Sequence, residues 1–235
     1  MGVKVVSLDI WNTLLRIQAV FEGIAKVLAP TLKVSEGEVL DKVLKSYVSA
    51  KQARREGELR ATNAVKESLR MLAAELGIEP RVLRRIVSSV VEGLKAEDVV
   101  IEGALEAVKE VSSLGLKVVT LGNVLFWRGI YTRHLLSNLG FSKYIAAQFY
   151  ADELGVQKPD RKAFAMVCRV LNVEPHEVLH VGDGIIEDFG GALAAGFRAA
   201  LVTSDVNDVV SINEFIHFIP SIKYLPKLVK SLIRA

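Results

Sequence analysis

A chain of 235 residues with 51% hydrophobic and 24% charged residues can bury one substantial core, or one core plus a small second domain. Its formal charge of +3 comes from Lys and Arg spread along the whole chain, which argues against a nucleic-acid partner, and no apolar run is long enough to span a membrane. The first residues carry no basic-then-apolar secretory pattern and Cys168 is the sole cysteine, so a cytoplasmic protein without intramolecular disulfides is expected.

The chain begins with VVSLDIWNTLLR, residues 5–16, a β-branched apolar run that ends on Asp9 and turns through Trp11-Asn12-Thr13. Residues 17–96 then repeat apolar positions every three or four residues, as in VFEGIAKVLAPTL, EVLDKVLKSYV, AVKESLRMLAAEL and RVLRRIVSSVVEGL. This spacing predicts about four helices, punctuated by Pro30, Gly77 and Pro80.

From residue 100 helix and strand alternate. GALEAVKEVSSLG precedes the strand LKVVTL, RGIYTRHLLSNLG precedes YIAAQFY, RKAFAMVCRVLNV precedes EVLHVG, and DFGGALAAG precedes FRAALVT. Cys168 lies within the third of these helices and reads as a buried thiol. Near-continuous apolar strands between helices mean a parallel sheet covered on both faces. The fold class is therefore α/β: a Rossmann-like doubly wound parallel sheet core, residues 1–16 and 97–235, with an α-helical domain, residues 17–96, inserted after the first strand.

Ligands of such sheets sit at the carboxyl ends of the strands. Those ends carry Asp9, then Gly122-Asn123, then Lys158 after the third strand and its loop, then Asp183 and Asp188. Several carboxylates gathered at one edge repel one another, and a divalent cation with a preference for hard oxygen ligands relieves that cost. Magnesium, a lysine and a free carboxylate together make a site for phosphate chemistry. The four histidines show no ligand spacing, and no zinc site is expected.

These stretches resemble the haloacid dehalogenase (HAD) superfamily, most of whose members are phosphatases. VVSLDIWNT stands where that family has its strand-terminal DxDxT motif, VVTLGNV at its second motif, GVQKPDRKAF at its lysine motif and HVGDGIIEDFGGALAAG at its acidic motif. The resemblance spans the core, and the helical insertion of residues 17–96 lies where a C1-type cap would. It implies that Asp9 is the nucleophile of an aspartyl-phosphate mechanism, with Lys158 beside it. It further implies that Mg2+ is held by Asp9, Asp183, Asp188 and the backbone carbonyl of Trp11. The competing structural roles are a turn cap for Asp9, a helix cap for Asp188 before Phe189, and a surface lysine for Lys158. Glu187 is expected to be exposed.

Two positions depart from the family pattern. Gly122 replaces a phosphate-binding Ser or Thr; its N–H, with help from Asn123, is the expected substitute, while Thr120 lies too deep. Trp11 replaces the aspartate that protonates the leaving group and activates water. Indole does neither, and general acid–base help is worth roughly a hundred- to ten-thousand-fold. Trp11 is expected to be an aromatic wall against the cap, with substrate stacking or lost activity as alternatives.

In SAKQARREGELRATN, the residues Lys51, Arg54, Arg55 and Arg60 cluster, and Arg54 and Arg55 suit a second anionic group of a substrate. A solvated helix face is the competing explanation. The expected activity is magnesium-dependent hydrolysis of a small phosphate monoester, slow or selective because of Trp11, in a monomer or homodimer. The alternatives are a metal-free 2-haloacid dehalogenase, or a catalytically weak relative that binds a phospho-ligand or a partner protein.

Overall fold

The computed structural model describes residues 2–234. The chain runs β1 (Val5–Leu8), α1 (Ile17–Leu32), α2 (Glu36–Arg55), α3 (Ala64–Leu76), α4 (Pro80–Gly93), α5 (Ala96–Val99), α6 (Ala104–Ser113), β2 (Lys117–Gly122) and α7 (Gly129–Asn138). It continues through β3 (Ile145–Tyr150), α8 (Ala151–Leu154), α9 (Arg161–Leu171), β4 (Val178–Gly182), α10 (Gly191–Ala194), β5 (Arg198–Val202), β6 (Val210–Ser211), β7 (Ile216–Ile219) and α11 (Leu225–Arg234).

The seven strands form one sheet in the order β3-β2-β1-β4-β5-β7-β6, all parallel except β6. Strand β1 is central and wholly buried, and its side chains alternate between two cores. Val6 and Leu8 face one with the helical block, α6 and α11, while Val5 faces the other with Phe164 and Val167 of α9. Both faces are covered, as the unbroken apolar strands require.

Register places the site. Leu8 lies beside Thr120 of β2 and Val181 of β4, so three carboxyl ends meet in line. The doubly wound sheet anticipated from the alternating pattern is present. The periodicity argument does not foresee the last part of the sheet, where β7 adds to β5 and the two-residue β6 turns back on it antiparallel.

Helices α1 to α4 follow from their ends. Ser35 accepts from the Glu38 amide to start α2, Glu79 accepts from Val82 to start α4 with Pro80 in its first turn, and Gly77 closes α3 at φ 68°. Pro30 does not end α1, contrary to its reading as punctuation; the helix continues to Leu32 and stops at Lys33, which takes a left-handed conformation at φ 56°. The four helices pack on one another, and α4 also packs on α7. Where the chain enters and leaves this block, the Arg16 guanidinium donates to the carbonyls of Glu97 and Asp98, and the Arg16 amide to Val99 at 2.7 Å. The two connecting segments are thereby stapled side by side. Among the described residues, no helix is long and apolar enough to cross a membrane.

Candidate active site

Asp9 is the first residue past β1, and its amide donates to the Val181 carbonyl at 2.8 Å, fixing the carboxylate between the ends of β2 and β4. The chain then turns sharply. Asn12 adopts φ 65°, a left-handed conformation that asparagine tolerates, its amide donates to Leu15, and its side-chain oxygen accepts from Ile17. This turn aims Trp11 at the cavity, where its ring meets Trp127 edge-on at 5.2 Å. The ring that Trp11 meets is thus Trp127, which follows β2 in the core, and not one of the helical block; Ile17 and Tyr47 of that block line the same cavity.

Lys158 is buried, with 2% of its side chain exposed, and its ammonium donates to Asp9 Oδ1 at 2.8 Å and to Asp188 Oδ1 at 2.5 Å. Burial alone would lower its pKa, but the Asp188 and Asp9 charges outweigh that and the net shift is upward. The surface-lysine alternative is thereby excluded. Asn123 holds the lysine's backbone: its side-chain amide donates to the Lys158 carbonyl and accepts from the Lys158 N–H, both at 2.9 Å. Asn123 lines the cavity, yet the side chain expected to face a phosphate is engaged in clamping the lysine loop. Gly122 is buried, pairs with Tyr150 in the sheet and is not among the cavity-lining residues; the Ile10 side chain stands over it, 3.1 Å from where a Cβ would be. No larger side chain fits there without displacement.

The fourth strand end is a wide turn rather than the simple helix start expected at DFGGALAAG. The amides of Asp188 and Phe189 both donate to the Gly184 carbonyl at 3.0 Å, which opens Ile185–Gly190 into a π-helical turn before α10. The turn folds Asp188 back against the strand. A Cβ on Gly182 would lie 2.4 Å from Asp188 Cγ, and one on Gly184 2.7 Å from Asp188 Oδ2, so both positions need glycine. Asp188 Oδ2 accepts from the Gly184 amide at 2.9 Å. Asp188 is not the cap of a helix beginning at Phe189; its contacts run to Lys158, His180 and Gly184.

His180 escapes any motif. Its Nε2 lies 3.1 Å from Asp188 Oδ1 and its Nδ1 2.9 Å from Ser7 Oγ. With a carboxylate as partner, Nε2 carries the proton and Nδ1 accepts from the serine. Burial lowers the imidazole's pKa and keeps it neutral. The alternation along β4, which puts His180 beside Ser7 of β1, was the available signal.

Burial is also the largest influence on Asp9. It pushes that carboxyl up to about 7 against the pull of Lys158, with Asp188 and Asp183 adding repulsion. Burial acts on Asp188 in the same sense, but Lys158 and the His180 bond prevail and hold it below the usual carboxylate range. Asp183 stands exposed at the cavity, shifted upward by desolvation and then by Asp188, with Lys51 and Lys158 opposing. One oxygen from each of Asp9, Asp183 and Asp188 lies within 4.8 Å of the others.

Glu187 is not exposed. Only 7% of its side chain is accessible, and it receives Arg55 at 2.9 and 3.0 Å and Arg54 at 3.3 Å. Burial pushes its carboxyl up, but the arginines win and the net shift is downward. The reason is the wide turn, which lifts Glu187 under the C-terminal end of α2. Neither the solvated-face reading nor an unengaged anion site describes these arginines: both bind the core. Arg54 also lines the cavity with Asp9, whereas Arg55 does not. The cavity itself measures about 70 Å³.

The chain shares 29% identity over 102 residues with haloacid dehalogenase-like hydrolase domain-containing protein 3 of Xenopus laevis, covering 43% of this chain and 40% of that protein. It shares 38% identity over 61 residues with the glyceraldehyde 3-phosphate phosphatase of Methanopyrus kandleri, 26% of each. The chain therefore spans less than half the length of either relative. Its fold superposes on the magnesium-bound HAD-hydrolase YfnB of Bacillus subtilis with a TM-score of 0.75 at 18% identity, over 97% of this chain and 99% of that one. The strand-end acids, the lysine between them and the glycine turn lie within residues 3–196, the stretch matched by the model for haloacid dehalogenase-like hydrolases, and the chain belongs to that hydrolase family.

Proposed function

We propose that the chain is a magnesium-dependent phosphatase that hydrolyses a small phosphate monoester through an aspartyl-phosphate at Asp9. The observation that carries this reading is the approach of Asp9, Asp183 and Asp188 to within 4.8 Å. Three carboxylates with Lys158 as the one ammonium bonded to them among the described residues favour a hard divalent cation. The donor chemistry fits magnesium, with Asp9, Asp183 and the Trp11 backbone carbonyl as the ligands. Both oxygens of Asp188 already hold protein donors, so its contribution is to steady Lys158 and the Gly184 turn. When bound, the ion polarises the phosphoryl oxygens and neutralises their charge.

The protein's own groups do the rest. Asp9 attacks phosphorus from a position set by the Val181 carbonyl, the ester oxygen departs with its electron pair, and water later cleaves the acyl phosphate. Lys158, clamped at its backbone by Asn123 and at its ammonium by Asp188, meets the negative charge on the transferring group without reorganising. Trp11 and Trp127 exclude water on one side of the nucleophile. With indole at position 11, attack of water on the intermediate lacks a base and is the slow step.

In this reading residues 17–96 form a cap over the core of residues 1–16 and 97–235. The pairing of Arg54 and Arg55 with Glu187 is its latch, and the Arg16 staple marks its hinge. The small cavity suits a compact ester, and hydrolysis of phosphate esters by relatives such as the Methanopyrus phosphatase supports the substrate class. The test is phosphate release across a small ester library with magnesium and then with EDTA. Release that EDTA silences is expected; release of halide from 2-haloacids in EDTA would instead establish a metal-free dehalogenase.

A further inference from the structure

We propose that Lys51, on the helical block, donates a proton to the departing ester oxygen, the task Trp11 cannot perform. The proposal rests on the phosphatase reading. Tyr47, Lys51 and Arg54 follow one another on α2 at spacings of four and three, so they stand on one helix face, and all three line the cavity that contains Asp9.

Their situations differ. Arg54 is bound to Glu187 at 3.3 Å, and a guanidinium does not release its proton. The Tyr47 ring is wedged between Phe21, 5.1 Å away, and Phe126, 6.1 Å away. Burial makes its phenol a weaker acid than usual. Lys51 makes no ion pair within 4.0 Å among the described residues; its ammonium stands 5.5 Å from the centroid of the Tyr47 ring, and its charge reaches the Asp183 carboxylate only through space.

In the phosphatase reading Asp9 is the nucleophile and Asp183 a magnesium ligand, and the remaining polar side chains of the cavity are held by other parts of the protein. Asn123 holds the lysine loop, Lys158 is shared between Asp9 and Asp188, Glu187 is held by arginines, and Asn12 closes its own turn. Lys51 is the one uncommitted ammonium lining the cavity among the described residues.

The step balances as follows. A bond forms between an Asp9 oxygen and phosphorus, and the bond between phosphorus and the ester oxygen breaks. The electron pair stays on that oxygen, which takes a proton from Lys51 Nζ and leaves as a neutral alcohol, and the amine recovers a proton from solvent. An alkoxide is far more basic than an amine, so the transfer runs downhill; a nitrophenolate needs little such help. Dependence on Lys51 therefore grows with the basicity of the leaving group.

The experiment compares Lys51→Met and Lys51→Arg with wild type, reading kcat/KM in magnesium for an alkyl phosphate and for p-nitrophenyl phosphate, with thermal melts to verify folding. Lys51→Met is expected to lose about a hundredfold or more on the alkyl ester and at least tenfold less on the aryl ester. Lys51→Arg, which keeps the charge but not the acid, should follow Lys51→Met on the alkyl ester. Equal losses on both esters, no loss on either, or full alkyl activity in Lys51→Arg would overturn the proposal and leave the phosphatase reading standing. A wild type that releases phosphate from neither ester would overturn both.

Discussion

Glu187 of the core carries Arg55 of the helical block on both carboxylate oxygens, at 2.9 and 3.0 Å, across 132 positions of sequence. This is a bidentate, charge-assisted pair with a nearly buried acid and a half-exposed base, and Arg54 joins it from inside the cavity. It ties the end of α2 to the turn that carries Asp188.

Glu187→Gln leaves Arg54, only 8% of whose side chain is exposed, without a counter-charge. An unpaired buried group costs about 1–3 kcal/mol. For a chain of this size that corresponds to a drop in Tm of roughly 2–4 °C per kcal/mol, read by thermal melting. The same variant should raise KM, since the latch no longer favours closure; unchanged Tm and KM would show that the pair contributes nothing.

Trp11→Asp returns a carboxylate to the position where the family has its acid/base. Turnover should rise, by up to about a hundredfold where breakdown of the phosphoenzyme limits the wild type. Steady-state phosphate release measures it. An unchanged rate would mean that another group already activates water.

His217 gives a pH signature remote from the site. Its Nδ1 meets Ser211 Oγ at 2.8 Å and its Nε2 the Glu214 carbonyl at 3.2 Å, and burial lowers its pKa below the ordinary 6.5. In the window below 6.5 the unfolded chain binds a proton that the folded chain refuses, so this stability is present above 6.5 and lost as pH falls. Asp9, pushed up to about 7, works in the opposite sense, gaining protons in the folded state over part of the same range. The difference between wild type and His217→Gln isolates the histidine. Urea melts from pH 8 to 5 should show the wild type losing more stability than the variant, and parallel curves would contradict the assignment.

The strand-end residues were legible because a parallel sheet turns sequence order into spatial order. Once VVSL, KVVTLG and VLHVG read as neighbouring strands, Asp9, Asn123 and Asp183 had to meet at one edge, and Lys158 could reach it from its loop. What side chains then bond to is a different matter. The sequence holds no sign that Asn123 would grip the Lys158 backbone, because that bond joins two loops 35 residues apart. Glu187 reads as exposed in any regular helix from Asp188 onward, and only the widened turn brings it beneath α2. The hairpin of β6 and β7 lay beyond the alternating pattern, as β6 has only two residues and no periodicity to display. Pro30 misled because α1 could hold it in its last turn.

The most direct test of the central claim is to quench the protein with acid during turnover of a phosphate ester in magnesium and map the phosphoryl group by peptide mass spectrometry. A phosphoryl group on the peptide that contains Asp9, absent in Asp9→Asn and in EDTA, is the expected result. Sustained phosphate release with no modified peptide, or full activity of Asp9→Asn, would contradict it.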